Sequence, residues 1–133
     1  MINLAENYGK GSLLLKDVAK LEGISEKYLS QIVIPLRRGG LISGSRGAHG
    51  GYTLTKPPSE ITAREIIEML EGDTAVIECL IDTKVCERFN NCSSIELWSM
   101  LSRKITEFLS SITLDDLIKI KRDKELKFID YNI

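Results

Sequence analysis

Three cysteines lie close together in the second half of this chain, and their side chains are the ones best suited to do chemistry. Six residues separate Cys79 from Cys86, and five separate Cys86 from Cys92. Thiolates are soft ligands, and iron–sulfur clusters and zinc both favour about four of them. Since the spacing lacks the close Cys-x-x-Cys pairs of zinc ribbons, three interpretations stay open: a metal centre, a redox-sensitive thiol group, or three inert reduced thiols.

Composition and cysteine number favour a cytoplasmic binding protein over an enzyme. An odd number of cysteines argues against a disulfide framework, and the N-terminus has neither the basic start nor the apolar run of a secretory signal. No stretch approaches the roughly 20 apolar residues that span a bilayer. A thiol or metal enzyme fares poorly, because a nucleophilic cysteine needs a nearby base and the sole histidine, His49, lies far along the chain in a glycine-rich segment.

Charge divides the chain into two regions. Residues 1–58 carry eight Lys or Arg against four Asp or Glu, whereas residues 59–133 carry ten against fifteen. The first region is therefore the one suited to phosphates. The alternative is an ordinary solvated surface, because the excess of positive charge is modest.

The first region has the pattern of a helix-turn-helix unit followed by a hairpin. Apolar residues over 13–21 recur at helical spacing until Gly23, and Ser25 then caps a second helix, Ser25 to Arg38. Two short strands over residues 41–43 and 52–54 enclose a glycine-rich loop, as in a wing. The predicted DNA contacts are Ser25, Lys27, Tyr28, Gln31, Arg37, Arg38, Arg46 and His49. Each has the alternative of a plain surface residue, and the tyrosine that of a core residue.

The second region has a helix start, the cysteine loop and a long apolar stripe. Thr62-Ala63-Arg64-Glu65 has the form of a capping box, which predicts a connecting helix to about Glu71. Behind the cysteines, apolar residues recur every three or four positions at Ile95, Trp98, Leu101, Ile105, Phe108 and Ile112. We predict one long helix that buries this stripe against a second copy, with packing on the first region as the alternative. A short helix over residues 113–120 follows, and the tail gives no prediction.

These patterns together predict a mainly α fold with a small β wing. Residues 1–58 form a winged helix-turn-helix DNA-binding region in this prediction. Residues 59–133 supply the connecting helix, the cysteine loop and the dimerisation helix.

The run over residues 14–57 resembles the winged helix of the Rrf-type family of bacterial transcription regulators, which includes IscR, NsrR and CymR. The stretch SRGAHGGYTL, residues 45–54, is the most specific part, and the similarity continues through ITAREIIEMLEG, the cysteine loop and the apolar stripe. Family members carry several more turns of first helix before the segment matched by residues 1–6. We therefore expect a chain that is clipped at its start.

The resemblance implies a homodimeric repressor or activator on a palindromic operator of double-stranded DNA. It also implies a [2Fe–2S] or [4Fe–4S] cluster, lost in air, on Cys79, Cys86 and Cys92. IscR-like members have a histidine where this chain has Ile95, so the fourth ligand could be a carboxylate such as Glu96, a solvent ligand or a residue of the partner subunit. Such a cluster is expected to be labile, as a sensor of iron, oxygen or nitric oxide requires.

Two other functions stay open at this point. One is a cluster-free regulator of the same fold that responds, like CymR, to a metabolite or a partner protein. The other is a winged-helix interaction module without DNA function, since fold does not dictate function.

Overall fold

The computed structural model describes residues 1–47 and 50–131 and is mainly helical. In these residues the helices are α1 (Ile2–Glu6), α2 (Leu15–Glu22), α3 (Glu26–Arg38), α4 (Ala63–Glu71), α5 (Ile95–Ser111) and α6 (Leu114–Tyr131). The strands are β1 (Ile42–Ser45) and β2 (Gly51–Leu54). The predicted mainly α fold with a small β wing is confirmed.

Helices α2 and α3 form the predicted helix-turn-helix unit. Gly23 follows α2 in the left-handed conformation, with φ 66°, and turns the chain toward α3. Ser25 is the N-cap of α3, and its hydroxyl oxygen accepts a hydrogen bond of 3.1 Å from the amide of Tyr28. The local signals for the end of one helix and the start of the next therefore act as the sequence indicates.

The wing is an antiparallel hairpin of β1 and β2, and it also binds the start of α2. The sequence prediction placed Leu13 in the first helix of the pair, which is wrong, because α2 begins at Leu15. Leu13 instead exchanges two backbone hydrogen bonds with Tyr52, of 3.0 and 2.8 Å. In the described part of the chain no third strand pairs with the outer edge of β2, so an extended neighbour is more favourable there than another turn of helix. The start of α2 is thereby held against the wing.

One hydrophobic core joins residues from both sides of residue 58. Ile61 and Leu114 are completely buried, and Ile42 of the wing is 2% exposed. The other buried members of this core are Leu4, Ala5, Val33, Leu36, Leu41, Leu54 and Ile118. Helix α6 therefore packs into the winged helix, although residues 55–113 separate it from the last strand of the wing.

Helix α6 is longer than the sequence prediction. The predicted helix ended at Ile120, which is wrong, because α6 continues to Tyr131. Residues 121–128 contain strong helix formers and no glycine or proline, so nothing in them ends a helix. Lys121 also donates to the Glu6 carboxylate at 2.7 Å, which ties α6 to α1. None of the helices in the described ranges has the length and apolar content needed to cross a membrane.

Helices α4 and α6 start side by side and are joined by a short backbone ladder. Thr62 and Thr113 form an isolated antiparallel bridge, and each opens a capping box, with Glu65 and Asp116 as the respective partners. The carbonyl of Ile112 accepts a bond of 2.8 Å from the first amide of α4. The prediction that Ile112 belongs to the long helix is wrong, since α5 ends one residue earlier and this residue adopts the extended conformation of the ladder.

The capping box of α4 also sets the acidity of Glu65. Burial raises the pKa of this carboxyl, but hydrogen bonds from the amide and hydroxyl of Thr62 and from the Lys56 ammonium outweigh burial and lower the pKa below its ordinary value. The three donors lie 2.8, 3.1 and 2.9 Å from the carboxylate oxygens. The ionised form of Glu65 is therefore the one that stabilises the start of α4.

Candidate nucleic-acid interface and cysteine segment

Helix α3 presents one buried face and one solvent face. Val33 and Leu36 are buried in the core. The side chains predicted to contact DNA from the first half of the helix are all exposed: Ser25, Lys27, Tyr28 and Gln31. Tyr28 is 57% exposed, which excludes the alternative of a core tyrosine. The Ser25 oxygen already accepts the capping hydrogen bond. Its hydroxyl would therefore contact DNA chiefly by donating a hydrogen bond.

The remaining predicted contacts lie at the end of α3 and in the wing. Arg37 and Arg38 form the last turn of α3, and Arg46 directly follows β1. All three side chains are exposed. His49, which the sequence analysis also assigned to DNA, lies outside the described residues. The second half of α3 and the wing thus add guanidinium groups to the exposed surface of the recognition helix.

The cations of the first region are largely free of ion pairs. In the part of residues 1–58 that the structure describes, only Lys56 forms a salt bridge with a carboxylate, at 2.9 Å from Glu65. Lys10 donates to a backbone carbonyl. Besides Lys10, the cations of this region without a carboxylate partner among the described residues are Lys16, Lys20, Lys27, Arg37, Arg38 and Arg46. Unpaired surface cations leave their charge available to DNA phosphates.

The three cysteines lie in a segment of three short 3-10 turns, Glu78–Leu80, Thr83–Val85 and Phe89–Asn91. Cys79 lies in the first turn, and Cys86 and Cys92 directly follow the second and third. All three are free, half-buried thiols. Among the described residues, no group of three or more His, Cys, Asp or Glu is arranged to hold a metal ion. The segment therefore collects three donors of suitable chemistry without assembling them into a ligand set.

Cys92 lies just before the start of α5. Its Sγ is 3.3 Å from the hydroxyl oxygen of Ser94. This contact, with help from the backbone amides of Ser94 and Ile95, lowers the pKa of the Cys92 thiol despite the opposing effect of burial. This lower pKa increases the fraction of thiolate at Cys92, and the thiolate is the form that binds metals and reacts with oxidants.

The chain just before the cysteines is bonded to the side of α5. The amide of Val76 donates to the Ser102 hydroxyl at 3.1 Å, and the hydroxyls of Thr74 and Thr106 lie 3.4 Å apart. Helix α5 packs against α4, and α4 packs against α3. A contiguous series of contacts thus leads from the cysteine segment to the helix predicted to read DNA.

Helix α5 has no buried residue in the single chain. Within the predicted stripe, Leu101 and Phe108 are 41% and 64% exposed, whereas the rest are half-buried: Ile95, Trp98, Ile105 and Ile112. The predicted stripe lacks Leu97 and Met100, which are 61% and 58% exposed and extend the exposed part of the helix. Leu97 lies three and four positions before Met100 and Leu101, which is helical spacing visible in the sequence, but the helix is apolar over so wide an arc that this spacing is obscured. We call Leu97, Met100, Leu101 and Phe108 the exposed face of α5.

Comparisons with known proteins agree with this architecture. The family model Rrf2, an iron-dependent transcriptional regulator, matches residues 1–120. The chain is 39% identical to the HTH-type transcriptional regulator CymR of Bacillus subtilis (strain 168) over 131 residues, which cover 98% of this chain and 90% of the relative. It is 37% identical to IscR of Photorhabdus laumondii over 118 residues, 89% and 71% of the two chains. The solved structure of CymR (YrzC), the global cysteine regulator of B. subtilis, matches with a TM-score of 0.73 and 41% identity, covering 90% of this chain and 87% of that one.

Proposed function

The chain belongs to the Rrf2 family of iron-dependent transcriptional regulators, and on that premise we propose a cytoplasmic homodimer that binds a palindromic operator and is switched by an iron–sulfur cluster at its three cysteines. The relatives are transcriptional regulators, so a DNA-binding regulator rather than an enzyme is confirmed at that level. The observation that carries the finer proposal is that the chain just before the cysteines is bonded to α5 through Val76 and Thr74. A change in the segment therefore acts directly on α5.

Helix α4 carries a displacement of α5 to the recognition helix. At the end of α3, Gly39 lies so close to Met69 of α4 that a Cβ at this glycine would overlap the thioether. The thioether of Met69 can move on its own, so the coupling of α4 to α3 rests on the packing of the two helices along their contact. In a dimer the result would be a change in the distance or tilt between two recognition helices, which must match the spacing of the operator half-sites.

The exposed face of α5 supports the dimer. A helix of 17 residues with no buried side chain and four large exposed apolar ones is unfavourable in water. A two-fold axis beside α5 would bury this face against its own copy, since an isologous interface uses the same patch twice. The same axis would present two α3 helices to two half-sites.

The three thiols have the chemistry of iron–sulfur ligands. They supply three of the about four ligands that a cluster favours. A bound cluster would supply a centre sensitive to iron, oxygen or nitric oxide. Cys79, Cys86 and Cys92 would hold it, and Glu96, which is exposed, a solvent ligand or a residue of the partner would complete it. Because the described turns do not hold the thiols as a ligand set, the segment has to rearrange in order to converge. That rearrangement is what a switch needs.

Anaerobic reconstitution tests the cluster. The wild type should gain visible absorption and bound iron, and its affinity for its own upstream promoter should change. A variant with serine at all three cysteines should stay colourless and bind the promoter equally with or without iron. Ser93→Ala, in the same segment but with all thiols kept, is the matched control and should behave as wild type. A colourless wild type without bound iron would contradict the cluster while leaving DNA binding intact.

A cluster-free regulator, responsive like CymR to a metabolite or a partner protein, is the second candidate. It is favoured by the high coverage of CymR and by the dispersed cysteines in the described segment. In this case the colourless protein binds the promoter, and the serine variant has the same affinity and the same response. Failure of every preparation to retard the promoter at low salt would instead favour an interaction module without DNA function.

A further inference from the structure

A cleft of about 650 Å³ lies between the start of α2, the recognition helix and the wing. Its lining includes three cationic side chains from three different elements: Lys16 of α2, Arg37 of α3 and Arg46 of the wing. All three are exposed, and none pairs with a carboxylate among the described residues. Lys16 was not among the residues that the sequence analysis assigned to DNA.

The backbone of the cleft is built for close approach. Four of its lining residues are glycines, Gly44, Gly47, Gly50 and Gly51, and these positions place no side chain in the cleft. The hydrogen bonds between Leu13 and Tyr52 hold the start of α2 beside the wing, which places Lys16 in the lining of the same cleft as the two arginines. Three cations around one cleft repel one another, and an anionic ligand bound there relieves that repulsion.

One carboxylate also lines the cleft. Glu26 is exposed, is the first residue of α3, and has no described ion-pair partner. A carboxylate beside three cations lowers the attraction for any anion and therefore weakens binding that rests on charge alone.

We propose that Lys16, Arg37 and Arg46 form a clamp for backbone phosphates of the DNA strand that runs between α3 and the wing. Glu26 limits the attraction of this clamp, so that DNA of arbitrary sequence is held less tightly. The inference rests on the DNA-binding function and adds a phosphate site, with Lys16 as its new member. Phosphate is the class of ligand that suits this cleft. Its cations attract a phosphate, its glycines let the phosphate come close to the backbone, and such contacts do not discriminate between bases.

Salt-dependent binding tests the clamp. Fluorescence anisotropy measures the affinity for the upstream promoter and for a scrambled duplex of equal length, at several salt concentrations. Lys16→Gln should weaken both complexes by about eightfold near 100 mM salt and reduce the slope of log affinity against log salt by about 0.9, the value for one phosphate contact. Lys124→Gln removes the same charge from an exposed position of α6 outside the cleft and should change neither. Circular dichroism confirms that both variants fold.

Glu26→Gln supplies a change of opposite sign. Its affinity for the scrambled duplex should rise, and the ratio of promoter to scrambled affinity should fall. Equal effects of Lys16→Gln and Lys124→Gln would overturn the clamp, provided that the wild type binds the promoter. A wild type that binds neither duplex at low salt would overturn DNA binding itself. Weaker promoter binding by Glu26→Gln, with scrambled binding unchanged, would show that Glu26 reads a base and would overturn its role in limiting attraction.

Discussion

Replacement of Gly51 by alanine is expected to separate the wing from the start of α2. Gly51 has a φ of 137°, and a Cβ at this position would lie 2.7 Å from the carbonyl carbon of Leu13 and closer still to its oxygen. Such distances force the backbone of one segment to move. Because Leu13 is held by its two hydrogen bonds to Tyr52, the movement has to disrupt the junction that positions Lys16 beside the wing.

The expected cost has two parts. Placing alanine in a backbone region suited to glycine costs about 1–3 kcal/mol. Loss of two backbone hydrogen bonds costs about 0.5–1.5 kcal/mol each, which brings the total to about 2–6 kcal/mol. Gly47 is the matched control in the same hairpin, because its φ is 109° and a Cβ there meets nothing within 4 Å. Gly47→Ala should therefore cost only the strain, about 1–3 kcal/mol.

Urea unfolding followed by circular dichroism measures both variants. All samples need the same protein concentration, since the stability of the proposed dimer would depend on it. Gly51→Ala should unfold at a lower urea concentration than Gly47→Ala, and its free energy of unfolding should be lower by about 1–3 kcal/mol. It should also bind promoter DNA more weakly. Equal losses of stability in the two variants would refute the argument that contact with Leu13 holds the wing.

Three further predictions address the dimer, the capping box and the core. Phe108→Glu places a charge on the exposed face of α5 and should raise the dimer dissociation constant at least about 30-fold in analytical ultracentrifugation; an unchanged constant would remove α5 from the interface. Because the folded pKa of Glu65 lies below its unfolded value, its stabilisation is present above the unfolded pKa and is lost as pH falls through the folded pKa. Glu65→Gln should therefore flatten the acid side of the stability profile, and an unaltered profile would contradict this linkage. Leu114→Ala should cost about 2–5 kcal/mol in urea unfolding, whereas Leu126→Ala, at a position 61% exposed, should cost far less; similar losses would argue against a shared core.

The helix boundaries that could be predicted from the sequence are those set by neighbouring residues. Gly23, Ser25 and Thr62 act on their own helices within three or four positions, so the printed sequence contains both partners of each interaction. The conformation of Leu13 could not be predicted in this way, because its hydrogen-bond partner, Tyr52, belongs to a strand far along the chain. Helical spacing alone cannot show that an edge strand competes for the same backbone.

The candidate site divides in the same way. Exposure of Lys27 and Tyr28 follows from their place at the start of an amphipathic helix, so both could be proposed from sequence. The presence of Lys16 and Arg46 in one cleft could not, because it depends on the bridge between Leu13 and the wing. Similarly, spacing identified the cysteines as possible ligands, but their separation onto three successive turns is a property of the folded segment.

The two regions on either side of residue 58 differ in net charge and in proposed role. They nevertheless share one hydrophobic core. Leu114 and Ile118 of α6 are buried with Ile42 and Leu54 of the wing, so a rigid rotation of the second region against the first would expose that core. Exposure of several large apolar side chains costs more than a regulatory equilibrium of a few kcal/mol allows. A signal from the cysteine segment is therefore expected to act by displacing α5 and α4, which have no fully buried side chain, while α6 keeps its place in the core.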